Sequence, residues 1–532
     1  MNLPPRFTHG LWVALPLSIA IAFSGCGDAP SDPRPDRPDM SLDAQVAEDA
    51  TVLPDAEPGG DAGPSLDAGP PDLVRLGERK AFPTAHGYGA YTVGGRGGRV
   101  IEVTSLDETG PGTLAEAMSE AGPRVIVFGT SGYIDWSVLE RSIREPNVSI
   151  LGQTAPAPGV SLRYSTLRVS ASEVVLRHFR VRRSNQDGRS NDALRIIKQR
   201  DDEPMRNVIA DHCSLSWGTD ENLSFGGRPT SPVNDVTVQH CLLAEGLNYY
   251  QVLIGHDTAR ISLIRNLFAH TDNRIPENTY GRGEVYEFSN NIVYDYSRAT
   301  TIAAVASVDV IGNVFKAGTR PPDRTHNVTY GVNGIENPGA SLEDGEVYGA
   351  DNIQVGADSA EMYSSNFTTH ASDSRVLVDS LYGAGPAGGL EGTLLDDVGA
   401  SGARDAVDER VLQDYRDGTG VRGLEDVDAV GGFPPLAVNQ HPASHDADAN
   451  HVADDFEAAH GIDDVLARPE TFTFDGVTFD NREYTGGSYR SETGVTSNAY
   501  TGGEPTGERL YTWREIYWAW LAGDFVPGKW GR

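Results

Sequence analysis

One strand phrase recurs six times between residues 172 and 315, and no other feature of the chain limits its fold so strongly. It reads EVVLRHFRV around His178, NVIADHCSL around His212 and DVTVQHCLL around His240. It returns as RISLIRNLF around Asn266, YEFSNNIVY around Asn291 and VDVIGNVF around Asn313. Each copy alternates apolar and polar residues, the period of a strand. Each puts His or Asn at one place, and the markers stand 34, 28, 26, 25 and 22 positions apart. A repeat of this length describes a stack of like units, each covering its neighbour's apolar face. Short β-rich phrases joined by polar turns, with little helical pattern between them, indicate an all-β chain wound as a parallel β-helix. Chemistry on such a solenoid belongs on one lateral face, where the turns vary most.

Composition excludes several classes of function. At 532 residues the chain has room for two to four domains and an ample core. A net charge of -33 argues against a nucleic-acid partner, which requires a basic footprint. Three Cys in this length exclude a disulfide-stapled fold. The Gly run at 94–98 lacks the Lys-Ser/Thr ending of a phosphate loop, and no helix follows it directly.

The termini differ from the middle. Residues 1–26 read as an export signal: Arg6 and His9 precede an apolar run from Leu11 to Phe23, too short to span a bilayer. The run ends in Phe23-Ser24-Gly25-Cys26, which resembles a bacterial lipobox and implies lipidation of Cys26, a membrane anchor and a cell-surface or secreted protein. Plain signal cleavage is the alternative. Residues 27–78 are rich in Asp, Pro, Ala and Gly and can bury no core, so they read as a disordered tether. Order is expected from Ala81, with strands at 99–103, 125–128, 148–151 and 167–169. A short helix at 113–119 would cap the open end of the β-helix.

Five stretches carry a family resemblance: AFPTAHGYGAYTVGGRGG, GPGTLAEAM, GQTAPAPGVSL, DHCSLSWGTDENLSF and NLFAHTDNRIP. In this order they resemble polysaccharide lyase family 1, the pectate lyases, over about residues 81–440. The resemblance implies a right-handed parallel β-helix and cleavage of polygalacturonate by β-elimination. That reaction removes the poorly acidic C5 proton of a galacturonate. Its carboxylate must therefore be neutralised, a task for a hard cation with oxygen ligands, and calcium fits. A base must also reach C5.

The resemblance assigns roles residue by residue. The first Arg of the family's Arg-x-Pro-x-x-Arg motif is Arg274, the expected base; Thr279 stands at the second, and Arg282 is the substitute carboxylate clamp. A free guanidinium is protonated at ordinary pH, so such a base needs positive charge nearby and an alkaline medium. Asp192 and Asp220, with Glu221 competing for the latter's place, are the expected calcium ligands; Ser190 and Ser224 stand where the family has two more acids. Between Arg163 and Arg200 lie nine Arg and one Lys against three acids. Arg195 and Lys198 from this stretch are the expected contacts to the acidic polysaccharide, although the same Arg could simply solvate strand faces. The protein is expected to act as a monomer. Two other classes stay open. One is a polygalacturonase using Asp192, Asp220 and Glu221 as acid and base. The other is a non-catalytic polysaccharide-binding β-helix.

His212 and His240, and likewise Cys213 and Cys241, occupy equivalent places on successive coils and read as structural ladders. Neighbours on a strand point to opposite faces, which works against a four-ligand zinc site. A Cys213–Cys241 disulfide is left open. The β-helix is expected to run over 79–400, a flanking helix and loop over 401–440, and a separate C-terminal module over 441–532. In that module Asp446, Asp448, Asn450, Asp454 and Glu457 fall at positions 1, 3, 5, 9 and 12 of an EF-hand-like calcium loop, with His451 where Gly is usual. An acidic turn before a helix is the alternative. The last helix, with Trp513, Tyr517, Trp518 and Trp520, would dock on a core or stack on sugar.

Overall fold

The computed structural model of the chain describes residues 79–186, 188–198, 200, 203–278, 283–323, 326–331, 341–356, 361–380, 382–481 and 511–525. All lie in one unit, Leu66–Arg532. The expected signal, lipidated Cys26 and tether fall outside these residues, as does Arg282. Among the described residues no helix is long and apolar enough to cross a membrane.

The chain is a right-handed parallel β-helix. A ten-stranded parallel sheet runs from Arg99–Val103 to Glu346–Ala350, and a nine-stranded one from Gly132–Asp135 to Ile353–Val355. A third face holds five strands, Glu140–Ile143 to Val252–Ile254. Isolated bridges through Glu277 continue it into a three-stranded sheet that starts at Thr300–Ala303. Inward residues stack coil on coil. Ile150, Leu176, Ala210, Val238, Leu263, Phe288 and Val310 stand in register and share one core. Every strand of a parallel sheet buried on both sides needs such an apolar column.

The repeat is real, but its expected alignment slips by one residue halfway along. Gln239 pairs with Ile264 and Leu242 with Leu267, so the counterpart of His240 is Arg265, and Asn266 is the counterpart of Cys241. The corner between the two long sheets is a single residue in the left-handed region: His178 at φ 50°, His212 at 51°, His240 at 50°, Arg265 at 52° and Asn290 at 52°. That residue faces outward and the next one inward, so two ladders run side by side. The outer one stacks the rings of His178, His212 and His240 at 4.7 and 4.8 Å. In the inner one, the Cys241 N–H donates to Asn266 Oδ1 at 2.9 Å. The N–H groups of Asn266, Asn291 and Asn313 donate to the amide oxygens of Asn291, Asn313 and Asn352, each at 2.8 Å. Each Asn thus satisfies a backbone donor that the corner would leave orphaned. Cys213 and Cys241 are free thiols in this inner ladder.

Two of the three faces are covered. Helix Ala406–Asp417 is capped by the Asp405 side chain and ends at Gly418 (φ 70°). It lays Val411, Leu412 and Tyr415 on Leu242, Leu267 and Ile292 of the nine-stranded sheet. The coils end at Tyr363, short of the expected residue 400. The C-terminal residues also differ from expectation. Val452, Phe456, Phe472, Ile516 and Tyr517 share a core with Val125, Val127 and Leu151, so the described residues of 441–481 and 511–525 pack on the ten-stranded sheet rather than forming a separate module. Its aromatic residues supply the apolar area for that docking. The helix Leu114–Ser119 buries Leu114, Ala117 and Met118 in the main core beside the first strands.

Candidate active site

The third face carries the expected chemistry. The turns entering it follow one plan: Gly218 and Gly246 press so closely on the next residues that a Cβ would lie 2.0 Å from the Glu221 carbonyl oxygen and 2.3 Å from that of Tyr250. Leu194 pairs with Leu223 and Leu223 with Val252. Two residues earlier, Asp192, Glu221 and Tyr250 are therefore equivalent on three successive coils, and Tyr250 bridges to Asn273, next to Arg274.

Asp192, Asp220 and Glu221 bring carboxylate oxygens within 4.8 Å of one another. Asp192 and Glu221 are only 3% and 2% exposed. Burial pushes Asp192 up to about 7; Asp220 adds to the rise, and Arg195, with its Nε 3.6 Å away, opposes it. Glu221 is held well above the usual carboxylate range by burial, then by Asp220 and Asp192, against the pull of Arg274. Ser224 donates its hydroxyl to Asp192, so the serine in a family acid position serves as support for the acid that remains. Ser190 instead donates to the Thr219 carbonyl at 2.9 Å.

Arg274 lies beside this trio. Its Nη1 contacts Glu221 Oε1, and its Nε is 3.9 Å from Glu277. Burial would lower its pKa, but Glu221 and Glu277 outweigh burial and raise it. The guanidinium also lies 3.9 Å from the centre of the Tyr250 ring. Both Tyr250 and Glu277 escaped the sequence reading. Glu277 is three residues from Arg274, and Tyr250 shows itself only once the coils are in register.

The basic stretch divides sharply. Arg177 pairs with Asp211 and Asp524 at 2.7 and 2.8 Å, and Arg182 with Asp405 and Asp408 at 2.8 Å, all fully buried. Arg183 is buried on the Tyr164 and Ser184 carbonyls. Arg177 and Arg182 pin covering segments, and these buried guanidiniums cannot meet a polysaccharide. Arg195 lies on the third face with Arg168, its in-register neighbour, both near Glu140; Lys198 follows the same strand as Arg195. The rings of the His ladder stack within 9° and 16° of parallel, and Asp211 and Asp397 hold His212 at 2.9 and 3.2 Å.

The EF-hand-like loop is closed. Asp446, Asp448 and Asp454 bring oxygens within 4.8 Å of one another, and Asn450 donates to Glu457 at 2.7 Å. His451 makes the sharp bend itself, at φ 67°, where Gly was expected to be needed.

Comparison with known proteins follows the same direction. The chain is 32% identical over 419 residues to a probable pectate lyase C of Aspergillus flavus, covering 75% of this chain and 92% of that one. It is 32% identical over 399 residues to the protein of the same name from Emericella nidulans, covering 73% and 87%. No protein-family model matches the chain. Among solved structures, the major allergen of cedar pollen covers 59% of this chain and 92% of its own at 17% identity, with a TM-score of 0.45. A pectate lyase from Bacillus sp. N165 in complex with trigalacturonate covers 59% and 98% at 15% identity, with a TM-score of 0.42. The class defined here is a polysaccharide lyase on a right-handed parallel β-helix. Within that class, the chain belongs to the pectate lyase family.

Proposed function

We propose that the protein cleaves polygalacturonate by calcium-assisted β-elimination on its third face. The observation that carries this reading is the meeting of the carboxylate trio with Arg274, which lies two coils beyond Glu221. The trio fits a hard dication by its donor chemistry. It offers only oxygens, and burial with mutual repulsion disfavours their joint ionisation until a positive charge shares the site. Asp192, Asp220 and Glu221 would hold calcium, which would neutralise the galacturonate carboxylate and make its C5 proton more acidic.

The chain's own groups do the rest. Arg195 and Lys198 offer positive charge to further carboxylates along the sheet. Arg274 takes the C5 proton in its neutral form. Glu221 opposes that form in the present pairing, so the base role requires Glu221 to release the guanidinium. Alkaline pH favours the neutral form. Arg282 is the second carboxylate clamp in this reading.

The test is turnover of polygalacturonate at alkaline pH, followed by ultraviolet absorbance of the new conjugated double bond, with and without chelator. Native protein should produce the signal and lose it to chelator, and Arg274→Lys should produce almost none. Reducing ends without absorbance would instead identify a hydrolase, and binding without turnover a lectin-like β-helix.

Two further readings belong to this proposal. The loop Asp446–Glu457 binds a second calcium that ties the C-terminal cover together, detectable as a second binding event lost in Asp446→Asn. Cys26 is lipidated after export and anchors a monomer at the cell surface, which mass spectrometry of the mature N-terminus decides.

A further inference from the structure

Arg274 is the one group in the site whose job depends on the direction of a flat cation rather than on its charge alone. On the trio side it has Glu221, and along its own strand Glu277. Neither carboxylate fixes the plane of the guanidinium. The Tyr250 ring does, with the guanidinium carbon 3.9 Å from its centroid. This contact is tighter than the ~6 Å limit for such an attraction, which favours the cation lying flat on the ring.

The placement follows from the repeat. Tyr250 occupies the coil position held by Asp192 and Glu221 on the two preceding coils. An acid there would extend the trio toward Arg274 and pull the guanidinium in line with it. A ring instead interrupts the acidic column and presents a face. Its backbone is held as firmly as the acids' own. Tyr250 bridges Asn273, the residue before Arg274, and Gly246 lets the turn close against the Tyr250 carbonyl. Ring and guanidinium are thus built on adjoining coils with no loop between them.

We infer that Tyr250 is a positioning residue that orients Arg274 for proton removal by stacking under its guanidinium. This rests on the reading of Arg274 as the base. An arginine swinging between Glu221 and the substrate has many orientations available, and the ring retains only those in its own plane. The contribution should appear in the chemical step, because the stack is made whether or not substrate is bound.

The test compares full-length Tyr250→Phe, Tyr250→Leu and Arg274→Lys on polygalacturonate with calcium, with thermal unfolding measured alongside. Tyr250→Phe keeps the ring and should retain kcat within about threefold. Tyr250→Leu should lose about tenfold or more in kcat, with KM little changed and the protein still folded by thermal unfolding. A Leu variant within threefold of wild type would overturn the inference, as would a Phe variant falling as far as Leu or a loss confined to KM. A fully active Arg274→Lys would overturn the reading of the base, while the Phe–Leu contrast would still decide whether the ring matters.

Discussion

Replacing Asp192 by Asn should make the calcium-free protein more stable, although it damages the site. Asp192 is buried, and its pKa rises from 3.8 to about 7. A folded value above the unfolded one means that the protonated acid favours the fold. Its contribution is fully present below about pH 4 and is lost as pH rises through 7. A rise of about three pH units corresponds to about 4 kcal/mol above pH 8. Coupling to Asp220 and Glu221 makes this an upper bound, so a gain of about 1–4 kcal/mol is expected for Asp192→Asn in chelator. Asn is isosteric and can still accept from the Ser224 hydroxyl, so no cavity masks the effect. Urea unfolding in chelator at pH 8.5 and at pH 4 measures it. The calcium proposed for the loop at 446–457 would be removed equally from both proteins, so the difference isolates Asp192. The variant should lead at pH 8.5, nearly coincide with wild type at pH 4, and gain little from added calcium. A variant less stable than wild type at pH 8.5, or an equal gap at both pH values, would refute the reasoning.

Three further outcomes follow from the covers and ladders. Burial disfavours charge on His212, but Asp211 and Asp397 more than offset it and push the imidazole up to about 9. The ion pairs should therefore stabilise the fold below about pH 6.5 and fade as pH rises through 9. Asp397→Asn should be destabilising at pH 6 and nearly neutral at pH 10 by urea unfolding. Asn291→Ala leaves the Asn266 N–H and the Leu263 carbonyl without their buried partner, at a cost of about 2–4 kcal/mol in the same assay. Cys213 and Cys241 are buried and unbonded, so reductant should not shift the melting temperature and thiol reagents should reach them only in denaturant.

How much of this was legible in the sequence varies with the kind of feature. The winding of the chain was written in the recurring strand phrase, because a parallel coil repeats its inward residues at each turn. The alignment of that phrase slipped at Asn266 because the corner residue and its neighbour are both often polar. A one-residue error in alignment exchanges outer and inner ladders, and only backbone pairing distinguishes them. Arg274 and the acids were found through local motifs, and the structure brings Arg274 to Glu221 although 53 positions separate them. The buried arginines at 177, 180 and 182 could not be told from Arg195 by composition, since their partners Asp524, Asp405 and Asp408 lie far along the chain.

The sequence alone determined that this chain coils and which residue types its turns offer, since both depend on short-range periodicity and local chemistry. Which faces are covered was a tertiary decision. The segments around Ala406–Asp417 and Trp513–Leu521 cover two sheets, through contacts between residues more than a hundred positions apart. The placing of Tyr250 under Arg274 was decided the same way, because a ring and a cation meet only once neighbouring coils have settled into register.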